Sequence, residues 1–275
     1  MIPKKIYYCW FGGPKFWTVY RCIESWKRVL PEYEIVEINE SNTDMSHPYI
    51  QSCLERKAWA FLSDMARFLW LKDNPGIYLD TDVYMLRPFS EDMLNREAFV
   101  GIESSVHIAQ GVIGVEKPNS TLITEYLDHY YTNPRTQATG SALRTQLEKQ
   151  HGKKFRFRYD RDDTRTPIIV PELGNLAVYS RGYFYPIAFS VPKLDESIIT
   201  AVHLYTCSAN LKVNPSRRTY RDFEKRISKF FSSNFPDEWG KDLKYLFRAL
   251  ALDKSHVKQI TMPEDILTME GLYDS

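Results

Sequence analysis

Apolar and polar positions alternate along the first eighty residues in blocks that change period. Ile6–Trp10 is a short apolar run ending at Gly12-Gly13-Pro14, which predicts a strand closed by a turn. From Phe16 to Leu30 the apolar positions recur at helical spacing until Pro31, and Glu34–Ile38 then alternates as a second strand. Residues 50–73 carry the strongest helical pattern, stopped by Asn74-Pro75-Gly76, and Ile77–Leu79 follows as a third strand. Farther on, Ala98–Ile102 and Gly111–Val115 read as strands and Thr121–Tyr131 as a helix. Phe155–Tyr159 and Ile168–Val170 form a hairpin pattern across an acidic turn. Helices alternating with short strands predict an α/β sheet with parallel strands, whose ligands sit at the strands' carboxyl ends.

Two places break this pattern. Asp80 and Asp82 lie inside GIYLDTDVYML, an otherwise apolar run. In a strand, residues two apart face the same way, so the two carboxylates would converge. Buried like charges repel unless a cation lies between them, and a hard divalent ion with oxygen ligands, Mg2+ or Mn2+, answers that need. The alternative is that the strand ends at Leu79 and Asp80-Thr81-Asp82 is a solvated turn. The second break is in Ala58–Leu71, where Ser63, Asp64 and Arg67 are the polar residues on a helix apolar nearly all round. Asp64 and Arg67, three apart, share a face. They suit either a structural ion pair or a ligand, with Asp64 accepting from a ribose hydroxyl and Arg67 donating to an anion.

Composition narrows the function classes. The chain has 275 residues, 43% of them hydrophobic, which is enough for a sizeable core. With 36 basic against 35 acidic residues, the net charge of +1 argues against a general nucleic-acid binder. Cys9, Cys22, Cys53 and Cys207 show no zinc-ligand spacing and read as reduced thiols of a cytoplasmic protein. The N-terminus has no signal-peptide pattern, and the longest apolar stretch is too short and too polar to span a bilayer. Beyond residue 216 a basic amphipathic helix bearing Phe223, Ile227, Phe230 and Phe231 would pack on the domain or touch an anionic membrane surface. The expected division is 1–215 as the main domain and 216–275 as a C-terminal helical extension.

IPKKIYYCWFGG followed by LSDMARFLWLKDNPGIYLDTDV resembles the glycosyltransferase group with a DXD sugar-binding motif, family 32 in the usual classification. That group holds bacterial capsule and lipopolysaccharide sugar transferases and yeast mannosyltransferases, with the clostridial glucosylating toxins as more distant relatives. The residues that fit its pattern are Trp10 and Gly12, then Ser63, Asp64 and Arg67. Gly76, Tyr78, Asp80 and Asp82 follow, and finally His203 with Ser208. Tyr7 or Tyr8 stands where the pattern has histidine, Pro75 where it has the first glycine, and Ala209 where it has tryptophan.

The resemblance implies a GT-A (Rossmann-like nucleotide-diphospho-sugar transferase) fold with a mixed central sheet, and a divalent cation (Mn2+ or Mg2+). It also implies a nucleotide-sugar donor, most simply a UDP-sugar, and transfer with retention of configuration. The acceptor would be a glycan or lipid-linked oligosaccharide in surface polysaccharide synthesis on the inner face of the membrane. On this reading Asp82 is a direct metal ligand, Asp80 contacts metal, ribose or donor sugar, and His203 completes the coordination. Ser208 reaches a phosphate or the metal. Trp10 stacks on the base, beside glycines that permit close approach. Gln110 or Glu103 would lie under the sugar ring, and Thr139-Gly140-Ser141 near it. Two rival readings are a phosphatase using the same two aspartates, whose following residues fit poorly, and a nucleotide- or sugar-binding protein without turnover.

Overall fold

In the computed structural model, described for residues 1–15, 17–104, 107–132, 140–152, 165–186, 195–205 and 225, the chain opens as strand β1 (Lys5–Cys9), helix α1 (Trp17–Val29) and strand β2 (Glu34–Ile38). Helices α2 (Pro48–Glu55) and α3 (Trp59–Asp73) lead to β3 (Gly76–Leu79), β4 (Val83–Met85) and the short α4 (Glu91–Leu94). Strands β5 (Ala98–Ser104) and β6 (His107–Val115) precede α5 (Thr121–Thr132) and α6 (Gly140–His151). Then come β7 (Ile168–Val170), β8 (Leu176–Tyr179), α7 (Arg181–Phe184) and β9 (Ala201–His203).

Seven strands form one sheet in the order β2-β1-β3-β6-β5-β8-β7, and β4 pairs with β9 in a second sheet of two strands. β1 runs parallel to both β2 and β3, and β5 runs parallel to β8. β6 is antiparallel to both neighbours, β3 and β5, and β7 is antiparallel to β8. The expectation of parallel strands is therefore corrected to a mixed sheet. The short β5–β6 connection dictates this, because adjacent parallel strands need a crossover of a dozen or more residues. The mixed central sheet expected of a GT-A fold is present.

Strand alternation sorts the core into two layers. Ile6, Tyr8, Ile77 and Leu79 face one side with α1, β4 and β9. Tyr7, Cys9 and Tyr78 face the other, with Leu62, Met65, Phe68 and Leu71 of α3 and Tyr126 of α5. The predicted single helix over 50–73 is two helices. Lys57 takes a left-handed backbone (φ +53°), breaking the ladder between α2 and α3. The Phe155–Tyr159 half of the expected hairpin, Cys207, and the C-terminal extension lie outside the described residues.

Candidate functional site

β3 ends at Leu79, so Asp80-Thr81-Asp82 is a turn, and the convergence expected from strand pleating arises differently. The turn is not solvated: Asp82 is 3% exposed and Thr81 7%. Its backbone is fixed from several elements. The Asp80 N–H donates to Gly111 O at 2.8 Å, Val83 N–H to Asp80 O at 3.0 Å, and Leu204 N–H to Asp82 O at 2.8 Å. Beneath it, the indole N–H of the fully buried Trp26 donates to Val83 O at 2.6 Å, and Met85 N–H donates to Ser25 Oγ at 2.9 Å. The apolar run after the motif therefore becomes β4, held on α1, and its register against β9 sets Val83 opposite His203. That pairing brings a residue 123 positions away in sequence onto the turn.

His203 Nε2 lies 3.3 Å from Asp82 Oδ1 and 3.4 Å from Asp80 Oδ2. On its other side Nδ1 lies 3.3 Å from the Tyr205 backbone nitrogen, so the ring is held between that nitrogen and the two carboxylates. Burial opposes the imidazolium charge, but Asp82 and Asp80 outweigh it and hold the pKa up at about 9. Burial likewise works to raise the Asp80 carboxyl, yet Arg67, His203 and the Tyr78 hydroxyl prevail and hold it below the usual range. Tyr78 Oη donates to Asp80 Oδ1 at 3.0 Å.

The ligand atoms of Asp80, Asp82 and His203 lie within 4.8 Å of one another, the spacing of a cation site. Two carboxylates and one imidazole are a donor set for a divalent ion. The space is kept open by Gly111: a Cβ there would sit 2.8 Å from Asp80 Oδ2 and 2.9 Å from His203 Cδ2. The residues present therefore fit the cation that the resemblance implies.

Arg67 is 5% exposed and fully engaged. Its guanidinium reaches Asp64 Oδ1 at 2.8 Å, Asp80 Oδ1 at 3.2 Å, Gln110 O at 2.7 Å and Ser63 O at 3.3 Å, and lies over the Tyr78 ring. Arg67 thus ties α3 to β3 and β6 and orients Asp80. Burial pushes the Asp64 carboxyl up to about 6 against the pull of Arg67. Ser63 contributes its carbonyl, and Gln110 brings its own carbonyl to Arg67 beside Gly111.

Trp10 and Gly12 lie at the end of β1. The Trp10 indole N–H donates to Gly13 O at 2.7 Å, and Gly12 N–H donates to Glu40 Oε1 at 2.8 Å. Gly12 has φ +80°, and a Cβ there would meet the Trp59 ring at 2.7 Å. Two departures from the family pattern meet each other: Tyr7 Oη donates to Pro75 O at 3.2 Å. Ser208, Ala209 and Thr139 lie outside the described residues. Gly140 and Ser141 begin α6.

Sequence reasoning missed Gly111, Tyr185 and Tyr205. The rings of Tyr185 and Tyr205 flank His203, with centroids 5.4 and 4.4 Å away. Nothing in their aromatic-rich surroundings marked them, because the sheet pairing of β9 alone brings them together.

Among curated proteins, glucan organizing enzyme 1 of Cryptococcus neoformans var. grubii is 33% identical over 85 residues, 28% of this chain. The matched segment spans 23% of that relative's length. Among solved structures, PaToxG glycosyltransferase is similar with a TM-score of 0.44 and 19% identity, covering 54% of this chain and 69% of that one. A glycosyltransferase involved in glycosylation of the major capsid of PBCV-1 is similar with a TM-score of 0.36 and 11% identity, over 76% of this chain and 98% of that one. Residues 18–100, with Asp80 and Asp82 inside them, match the family model described as the glycosyltransferase sugar-binding region containing the DXD motif.

Proposed function

We propose that this protein is a metal-dependent glycosyltransferase moving a sugar from a nucleotide-sugar donor to a glycan acceptor. The observation that carries the reading is the buried Asp80–Asp82–His203 cluster, assembled from segments 123 residues apart inside and beyond the matched region. Asp82 and His203 hold the cation with Asp80. A divalent ion bound there supplies Lewis-acid stabilisation of the charge that develops on a departing diphosphate. Imidazole is a better ligand for transition metals than for Mg2+, which favours Mn2+ at this donor set.

The chain's own residues then divide the remaining work. Arg67 fixes Asp80 and neutralises the carboxylate pair it shares with Asp64. Asp64, about a quarter exposed along its side chain, is placed to accept from a donor hydroxyl. Trp10 and Gly12 at the end of β1 supply the surface for the base, and Gln110, next to Gly111, lies on the donor-sugar side. Ser208 joins this set by its place in the motif. A UDP-sugar as donor, retention of configuration, and a lipid-linked acceptor in bacterial surface polysaccharide synthesis follow from the family resemblance. With such an acceptor, the basic amphipathic pattern beyond residue 216 suits a membrane-facing role. No helix among the described residues is long and apolar enough to cross a membrane.

The test is calorimetric, followed by turnover. UDP and GDP are titrated with and without Mn2+ into the protein and into Asp80→Ala/Asp82→Ala, and the nucleotide that binds is then offered as its sugar conjugates. Metal-dependent binding that the double variant loses, followed by sugar release or transfer, supports the reading. Binding without any turnover favours a nucleotide-binding protein, and binding indifferent to metal and aspartates defeats the site assignment.

A further inference from the structure

Tyr185 is the residue at the cluster that the proposed chemistry leaves unused. Its side chain is fully buried, and among the described residues its hydroxyl proton reaches no acceptor. Such a group is costly to leave unmade, and a buried polar atom without a partner in a native fold points to a strained position or to an absent ligand. The surroundings decide between these. The ring packs at 5.4 Å from the His203 ring, and the hydroxyl lies in the field of the Glu103 and Asp80 carboxylates, with the Gly111 N–H directed at its oxygen. Behind the ring, Gly101 clears its seat: a Cβ there would lie 2.8 Å from Tyr185 Cε2. Two glycines thus make room, Gly101 for the phenol and Gly111 for Asp80 and His203. The phenol is thus held beside His203 and Gly111, at the edge of the cluster.

Another phenol without a partner among the described residues, Tyr130, lies on the opposite face of the sheet, packed with Phe68 of α3. It provides the comparison, since it is buried and unpartnered without the place beside His203.

We infer that Tyr185 is a binding residue of this site, its hydroxyl donating to an oxygen that arrives with the cation: a water coordinated to it or an oxygen of the donor's diphosphate. The inference rests on the cation reading above and goes beyond it. The phenol selects cation-bound oxygen ligands, and its unmet hydrogen bond favours the loaded state over the empty one. No proton need leave the phenol, whose burial beside carboxylates keeps it protonated.

Tyr185→Phe tests this with two readouts that a merely structural tyrosine would move differently. The first is the melting temperature of the chelator-treated protein. The second is affinity for Mn2+ alone, then for UDP in saturating Mn2+, with Tyr130→Phe as the control. The expectation is that chelator-treated Tyr185→Phe melts close to the parent, because the deleted hydroxyl proton had no acceptor to lose. Its affinity falls about tenfold or more, the value of one hydrogen bond to a charged or polarised oxygen. Tyr130→Phe leaves both affinities unchanged. A loss seen with Mn2+ alone assigns the oxygen to coordinated water, and a loss seen only with UDP assigns it to the diphosphate. Parental affinities in Tyr185→Phe overturn the inference and leave the cation site standing, as does a lowered melting temperature with affinities intact. If the parent protein itself binds no Mn2+, the cation reading fails and takes this inference with it.

Discussion

Arg67→Met removes the guanidinium on which the buried carboxylates depend. Four contacts of 2.7–3.3 Å end on it, and the residue is 5% exposed. Methionine fills similar space, so the loss is electrostatic. Breaking a buried ion pair from one side costs about 3–5 kcal/mol, because the remaining charge stays buried. Here the lower end applies, since the Asp64 and Asp80 side chains are 26% and 27% exposed and Asp80 keeps His203. About 3 kcal/mol corresponds to a fall in Tm of roughly 6–12 °C for a chain of this size. The pH dependence carries a definite sign. Without Arg67 both carboxyls are harder to ionise in the folded state than with it, and Asp64, already raised, lies further above its unfolded value. Raised carboxyl pKa values favour the folded state at low pH and cease to do so as pH rises through them. Asp64, already at about 6 with Arg67 present, moves higher. The deficit relative to the parent is therefore largest above pH 7 and narrows towards pH 5. Thermal unfolding of both proteins at pH 5 and pH 8 measures it, and Asp64→Asn added to the variant should recover part of the loss. A deficit under about 1 kcal/mol, or one equal at both pH values, would refute the reasoning.

Three further predictions follow from the same geometry. His203 holds its proton to about 9 when folded against an ordinary 6.5. Its stabilisation, roughly 3 kcal/mol, is thus full below pH 6.5 and lost as pH rises through 9. Chelator-treated protein should lose Tm over that window, and an unchanged slope in His203→Gln would contradict the assignment. Gly111→Ala places a methyl 2.8 Å from Asp80 Oδ2 and should cost about 1–3 kcal/mol by overpacking. It should also weaken Mn2+ binding, and calorimetry with parental affinity would show that the cluster does not need that space. Trp26→Phe leaves the buried Val83 carbonyl without its 2.6 Å donor, with an expected loss of about 1–3 kcal/mol in denaturant unfolding. A variant as stable as the parent would show that α1 does not clamp the turn.

Local pattern was enough to place most elements. β2 has the predicted bounds Glu34–Ile38, and α1 and α5 fall within a residue of their predicted ends. The α2–α3 break was hidden because it depends on one left-handed residue, Lys57, that no glycine or proline announces. The direction of β6 was equally hidden, since an apolar strand reads alike in either sense. At the site, the pairing of Asp80 with Asp82 and of Asp64 with Arg67 was visible as charge inside apolar runs. The resemblance brought in His203, and no local signal could have. The sequence pattern suits Arg67 to an anion or to an ion pair, and the fold commits it to Asp64, Asp80 and two carbonyls. Tyr185 and Gly111 were illegible because their meaning exists only where β9 crosses the turn.

The central claim is that Asp80, Asp82 and His203 together hold a divalent cation. Electron paramagnetic resonance titration of Mn2+ into the chelator-treated protein, Asp82→Asn and His203→Gln tests it most directly. The account predicts one Mn2+ held by the parent, with at least about tenfold weaker binding in each variant and unchanged circular dichroism. Equal Mn2+ affinity in all three proteins, or no Mn2+ bound by the parent, would contradict it.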